Sequence, residues 1–171
     1  LVLRYRAAQS ARGTVPWVDR QLARTDRNGK LAGSFALLAN WCSNTTNRFT
    51  RSALEFFAGI HRAASLPKYH HQTLVRQAAS RTLEINVAAP SFGRKVALFA
   101  TCFSNYNDPG IGLAARSVLA RNGVDCAIVY PECCGMPQLE QADFLSISKK
   151  AKIISAFLVA WINKGYDIVA L

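Results

Sequence analysis

Two apolar runs, each leading into cysteine and separated by a segment of helical length, constrain this chain more than any other feature. The stretch KVALFATCFSNYNDPGIGLAARSVLARNGVDCAIVYPECCG, residues 95–135, opens with Lys95 to Thr101 and reaches Cys102. It closes with Val124 to Tyr130 and reaches the adjacent pair Cys133 and Cys134. Short, near-continuous apolar runs are the pattern of strands buried on both faces. Between them, Asp108-Pro109 reads as an N-cap followed by proline at the first helical position. Ile111, Ala114, Ala115, Val118 and Leu119 then recur at helical spacing, and Asn122-Gly123 is a stop signal. The local reading is strand, helix, strand.

The grammar continues to the last residue. After the loop CCGMPQLEQA, Asp143 is placed to cap a long helix carrying Phe144, Ile147, Ile154, Phe157, Leu158 and Trp161. Lys164-Gly165 ends that helix, and Tyr166 to Leu171 reads as a third strand. Helical crossovers between strands require a parallel sheet. The expected fold class is therefore α/β: a helical N-terminal segment, residues 1–93, followed by a Rossmann-like parallel β-α-β-α-β unit, residues 94–171. In open sheets of this kind ligands collect beyond the carboxyl ends of the strands. Cys102, Cys133 and Cys134 all fall there by the same register.

The first half reads differently. Residues 1–15 form a short basic helix stopping near Gly13, and residues 17–25 a further helical turn. Thr25 to Gly29 is a turn signal, Leu31 to Trp41 a helix packed inside a core, and Cys42 to Asn47 a breaker. Thr50 is placed to cap a helix whose apolar face is Ala53, Leu54, Phe56, Phe57 and Ile60. Residues 66–71 are a loop, and Ser91 to Gly93 a linker. The chain starts on Leu1 and stops on an apolar run at Leu171, so it reads as a piece of a longer one.

Charge separates the halves as well. Of a net +11, the excess lies wholly up to Lys95, with fifteen Lys and Arg against four Asp and Glu. The remainder is balanced at six against six. A basic half suits an acidic protein, an anionic lipid or nucleic acid, or is a solvated surface. It lacks the aromatic interleaving of a nucleic-acid reader. The longest apolar stretches fall short of the roughly 20 residues that span a bilayer.

Five cysteines point to a reducing compartment and to metal or redox work. Thiolates favour zinc or iron–sulfur centres. Side chains of the adjacent Cys133 and Cys134 diverge, which disfavours one tetrahedral zinc ion and suits a multi-iron centre. Cys42 and Cys126 read as packing residues. Gly110 and Gly112 do not complete a dinucleotide loop, because Ala115 breaks the pattern. His70 and His71 read as loop surface, and Asp125 and Glu132 form no acid–base pair.

The segments FATCFSNYNDPGIG, YPECCGMPQLE and GYDIVAL resemble the cysteine-rich CCG domain of iron–sulfur oxidoreductases. LVLRYRAA and RQLARTDRNGKLAG resemble the stretch that follows the ferredoxin-like module in the same family. The family is that of the anaerobic glycerol-3-phosphate dehydrogenase C subunit, with the heterodisulfide reductase B subunit more distant. The resemblance implies that Cys102, Cys133 and Cys134 ligate an iron–sulfur cluster of 4Fe–4S type, with a further cysteine beyond Leu171. It implies an electron-transfer subunit, not a complete catalyst, passing electrons from a flavin-containing dehydrogenase to a quinone or thiol acceptor. It further implies a cytoplasmic protein, peripheral on the cytoplasmic membrane. Upstream ferredoxin-like cysteines and a second cysteine-rich copy are missing, and Ala142 stands where the family pattern has glycine. The alternative is a non-catalytic assembly module docking through its basic helices.

Overall fold

The computed structural model describes residues 2–171. Six helices come first: α1 (Val2–Ala11), α2 (Trp17–Leu22), α3 (Thr25–Ser34), α4 (Ala36–Ser43), α5 (Arg48–Ala58) and α6 (Leu74–Ala79). The α/β unit follows as β1 (Lys95–Phe99), α7 (Cys102–Tyr106), α8 (Pro109–Arg121), β2 (Asp125–Val129), α9 (Met136–Glu140), α10 (Phe144–Ile162) and β3 (Asp167–Ala170). The three strands form one parallel sheet in the order β2-β1-β3. The α/β class and the parallel sheet are as the crossovers require.

Alternation along β1 explains why both sheet faces are covered. Val96 and Leu98 point to one side, where they join Val124 and Cys126 beneath Ala115 and Leu119 of α8. Ala97 and Phe99 point to the other, where Val129 joins them beneath Ile154, Leu158 and Trp161 of α10. Cys126 is thus a core residue, in keeping with its place inside an apolar run. Cys42 lies half-buried near the end of α4.

The caps predicted for the α/β unit hold. Asp108 accepts from the Gly110 amide at 3.1 Å with Pro109 at N1, and Asp143 accepts from the Ser146 amide at 3.1 Å. Ala142 has φ 56°. It closes α9: the Ala142 amide donates to the Leu139 carbonyl and the Asp143 amide to the Gln138 carbonyl, both at 2.9 Å. That is a helix stop whose left-handed residue is ordinarily glycine.

The helical half corrects several expectations. Thr25–Gly29 is the start of α3, since Asp26 and Lys30 pair across one helical turn at 2.9 Å. Leu31 to Trp41 is two helices meeting at Phe35, and it is not packed inside a core: Leu37 is 91% exposed, and Phe35, Leu38 and Trp41 are exposed too. The cap of α5 is Asn47, accepting from the Thr50 amide, not Thr50 itself. Its predicted apolar face is split, with Phe56 and Phe57 exposed, Ala53 and Leu54 half-buried and Ile60 beyond the helix end. The buried residue of α5 is Arg51, which donates to the carbonyls of Arg62, His61 and Ala64 at 3.0, 2.9 and 2.7 Å. A guanidinium thereby replaces apolar packing as the tie between α5 and the turn after it. Helix α6, unforeseen although Thr73 is a capping residue type at its start, seats Leu74 fully buried against α8.

Candidate metal centre

The sulfur-bearing loops start from adjacent strands. Phe99 is paired with Val129, so β1 and β2 end side by side. Beyond β1, Thr101 and Ser104 form a reciprocal cap: the Thr101 hydroxyl accepts from the Ser104 amide at 3.1 Å, and the Ser104 hydroxyl accepts from the Thr101 amide at 3.0 Å. This starts α7 abruptly and fixes Cys102 as its first residue. Beyond β2, Cys133 and Cys134 lead into Gly135, whose φ of 86° reverses the chain into α9. A Cβ at Gly135 would meet nothing nearer than 3.5 Å, so conformation and not space selects glycine there. The reversal brings the Gly135 amide onto the Cys133 sulfur.

Cys102 and Cys133 are brought together, near enough for a hydrogen bond between the thiols to shift both pKa values. Cys133 is fully buried, Cys102 half-buried and Cys134 exposed. Negative charge favours Cys133: the Cys102 thiol lowers its pKa against the opposing effect of burial, with help from Thr25, the Gly135 amide and the Lys150 charge. Cys102 is raised in turn, first by that hydrogen bond and then by burial. Cys134 is near enough for its charge to add to the shift of Cys102.

The N-terminal half closes this rim, a contact that no motif in the sequence announces. The Thr25 hydroxyl lies 3.5 Å from the Cys133 sulfur. Next to it, the Asp26 carboxylate accepts from the Tyr130 hydroxyl at 2.7 Å and the Tyr106 hydroxyl at 3.1 Å, while Lys30 pairs with it. The two rings meet edge to face, centroids 5.6 Å apart. Lys150 pairs with Glu132 at 2.6 Å beside the cysteine loop. Thr25 at a helix start and Asp26 four residues before Lys30 are the available signals. The Asn-Gly in the same stretch outweighs them.

Burial pushes the Asp26 pKa upward, but the hydrogen bonds from Lys30, Tyr130 and Tyr106 prevail, and it lies below the ordinary 3.8. A depressed carboxyl stabilises the fold fully above its unfolded value, and the contribution fades as pH falls through the folded value. Asp26→Asn is expected to cost about 1–2 kcal/mol at neutral pH, one or two charge-assisted hydrogen bonds being weakened. In urea titrations the gap between variant and wild type should narrow below about pH 4. A gap unchanged by acid counts against this role.

Among the described residues, no three His, Cys, Asp or Glu side chains converge as a single-ion site. His70 and His71 are not brought to the sulfurs in such a group. The donor set is instead two converging thiols, a third at the rim, and an amide and a hydroxyl directed at the buried sulfur. That set fits part of the coordination of a polynuclear centre, whose thiolates attach to different metal atoms.

No family model matches the chain, and no solved structure matches it. It is 31% identical over 152 residues to the C subunit of anaerobic glycerol-3-phosphate dehydrogenase from Escherichia coli strain K12. The protein of the same name from Escherichia coli O157:H7 matches equally. The chain is a distant relative of that protein. The match takes in 87% of this chain but 37% of each relative, so the chain spans little more than a third of their length.

Proposed function

We propose that this chain is part of an iron–sulfur electron-transfer subunit of a dehydrogenase complex. It would receive electrons from a flavin-containing subunit and pass them to a quinone or thiol acceptor. The observation that carries this reading is the convergence of Cys102 and Cys133 at the ends of adjacent parallel strands, with Cys134 beside them. The distant relationship to a subunit of a glycerol-3-phosphate dehydrogenase supports it.

A bound 4Fe–4S cluster supplies a one-electron carrier. The chain's own residues hold and tune it. Cys133 brings a sulfur already favoured as the anion, Cys102 brings a second from a capped helix start, and Cys134 provides the ligand nearest solvent. Gly135 donates a backbone N–H to sulfur, and the sheet excludes water from one side.

Residues 1–93 serve as the docking half and residues 94–171 as the cysteine-rich CCG half. Phe35, Leu37, Leu38, Trp41, Phe49, Phe56 and Phe57 are all exposed on or beside α4 and α5 in the basic half. Apolar surface on this scale marks an interaction face, here for partner redox subunits at the periphery of the cytoplasmic membrane. No helix among the described residues is long and apolar enough to cross a membrane. The test is anaerobic purification of the protein together with its neighbouring sequence. Iron, acid-labile sulfide and a reducible electron-paramagnetic signal are expected; colourless protein lacking all three defeats the reading.

A further inference from the structure

We propose that Thr25 is a positioning residue of the sulfur rim, its hydroxyl donating a hydrogen bond to the Cys133 sulfur from the helical half of the chain. The contact is 3.5 Å long and joins residues 108 positions apart, so only the tertiary fold creates it. Cys133 is fully buried, so water cannot replace the donor if it is removed. Either atom can donate while Cys133 is a thiol; once that sulfur is deprotonated or bound to metal it has no proton to give, and the threonine hydroxyl is the donor.

The hydroxyl is held in place before any cofactor arrives. Thr25 is the first residue of α3, where a β-branched side chain has few rotamers. The adjacent Asp26 is bound by two tyrosines that flank the sulfur loops, one following β2 and the other ending α7. Gly29 lets the same helix lie directly on the Tyr106 ring. Helix α3 is thus fastened at three points along one face, and its first hydroxyl points at the one sulfur that is wholly enclosed. The basic half therefore supplies part of the site as well as a docking surface.

This inference rests on the proposed function where a cluster is concerned. A donor on a ligand sulfur stabilises the reduced, more negative state, so removing it lowers the potential. The test uses Thr25→Val, which keeps shape without the hydroxyl, and Thr25→Ser, which keeps the hydroxyl. In anaerobically prepared holoprotein, Thr25→Val should have a more negative midpoint potential, with Thr25→Ser close to wild type. In metal-free, reduced protein, alkylation of Cys133 by iodoacetamide is followed by mass spectrometry on its alkaline plateau. Buried Cys133 reacts only when the fold opens locally, and loss of the bond makes that opening more frequent: Thr25→Val should react about fivefold faster, the equivalent of one ordinary hydrogen bond, and Thr25→Ser should not. Should Thr25→Val fail to fold, Thr25→Ala serves in its place. Equal alkylation rates in wild type and the hydroxyl-free variant overturn the proposal. Wild type without iron defeats the function but leaves the alkylation result to decide Thr25.

Discussion

On the proposed function, Cys133→Ser is expected to lose nearly all of the iron and sulfide that the wild-type protein would retain on anaerobic gel filtration, while Cys42→Ser would keep them. The two substitutions are chemically identical, and their difference follows from where the sulfurs lie. Cys133 is fully enclosed, with the Thr25 hydroxyl 3.5 Å from its sulfur and Cys102 and the Gly135 amide beside it. A serine hydroxyl there is a poor ligand for iron, and the surrounding donors are set at distances suited to the larger sulfur. Cys42 sits half-buried in α4, on the helical half. Cys134→Ser should fall between them, because an exposed ligand can be replaced in part by solvent or added thiol. The order of retained iron, Cys42→Ser above Cys134→Ser above Cys133→Ser, is read by iron and sulfide assay on protein of verified fold. Full retention in Cys133→Ser removes the basis of the redox assignment.

The asymmetry among the three thiols is not legible in the sequence, although their common location is. Strand-like runs, a capped helix and a glycine stop are local signals, and each is decided by a few neighbouring residues. They place β1, α8, β2, α10 and β3 and send Cys102, Cys133 and Cys134 to the same edge. Burial is a different matter. One side of Cys133 is met by Thr25 of α3, and α3 is held by Asp26 on Tyr106 and Tyr130, residues 80 and 104 positions away. No periodicity within a window reports such a contact.

The helical half misleads for a related physical reason. An apolar helix in sequence is normally an inward-facing one, so Leu31 to Trp41 and the phenylalanines of α5 read as core. Here those residues are largely exposed, and the inward positions are taken by Gly29, Gly33 and the guanidinium of Arg51. Small residues and an arginine make the intramolecular contacts, which leaves the large apolar side chains for another surface. Binary patterning identifies the apolar face correctly. It does not say whether the face is covered by the same chain.

Gly29→Ala puts the helix–rim contact to its most severe test, because two principles oppose each other at this position. Intrinsic helix propensity favours the substitution by about 1 kcal/mol, alanine being the best helix former. Packing opposes it: an added Cβ would lie 2.6 Å from Tyr106 Cγ, 2.9 Å from Tyr106 Cε2 and closer still to Tyr106 Cδ2. The ring has little freedom to yield. Its hydroxyl is bound to Asp26, its edge meets Tyr130, its residue is 5% exposed and its carbonyl accepts from the His70 amide at 2.9 Å. The helix must then lift, which takes Thr25 from Cys133 and Asp26 from both tyrosines together. Overpacking alone costs about 1–3 kcal/mol; with those hydrogen bonds lost as well, a destabilisation of about 3 kcal/mol or more is expected in urea unfolding. Cys133 should also become accessible to alkylation in the native state, since its cover has moved. Ser34→Ala, on an exposed position of the same helix, should leave stability within about 0.5 kcal/mol of wild type. If Gly29→Ala proves as stable as wild type with Cys133 still protected, α3 does not rest on Tyr106, and the sulfur rim has some other lid.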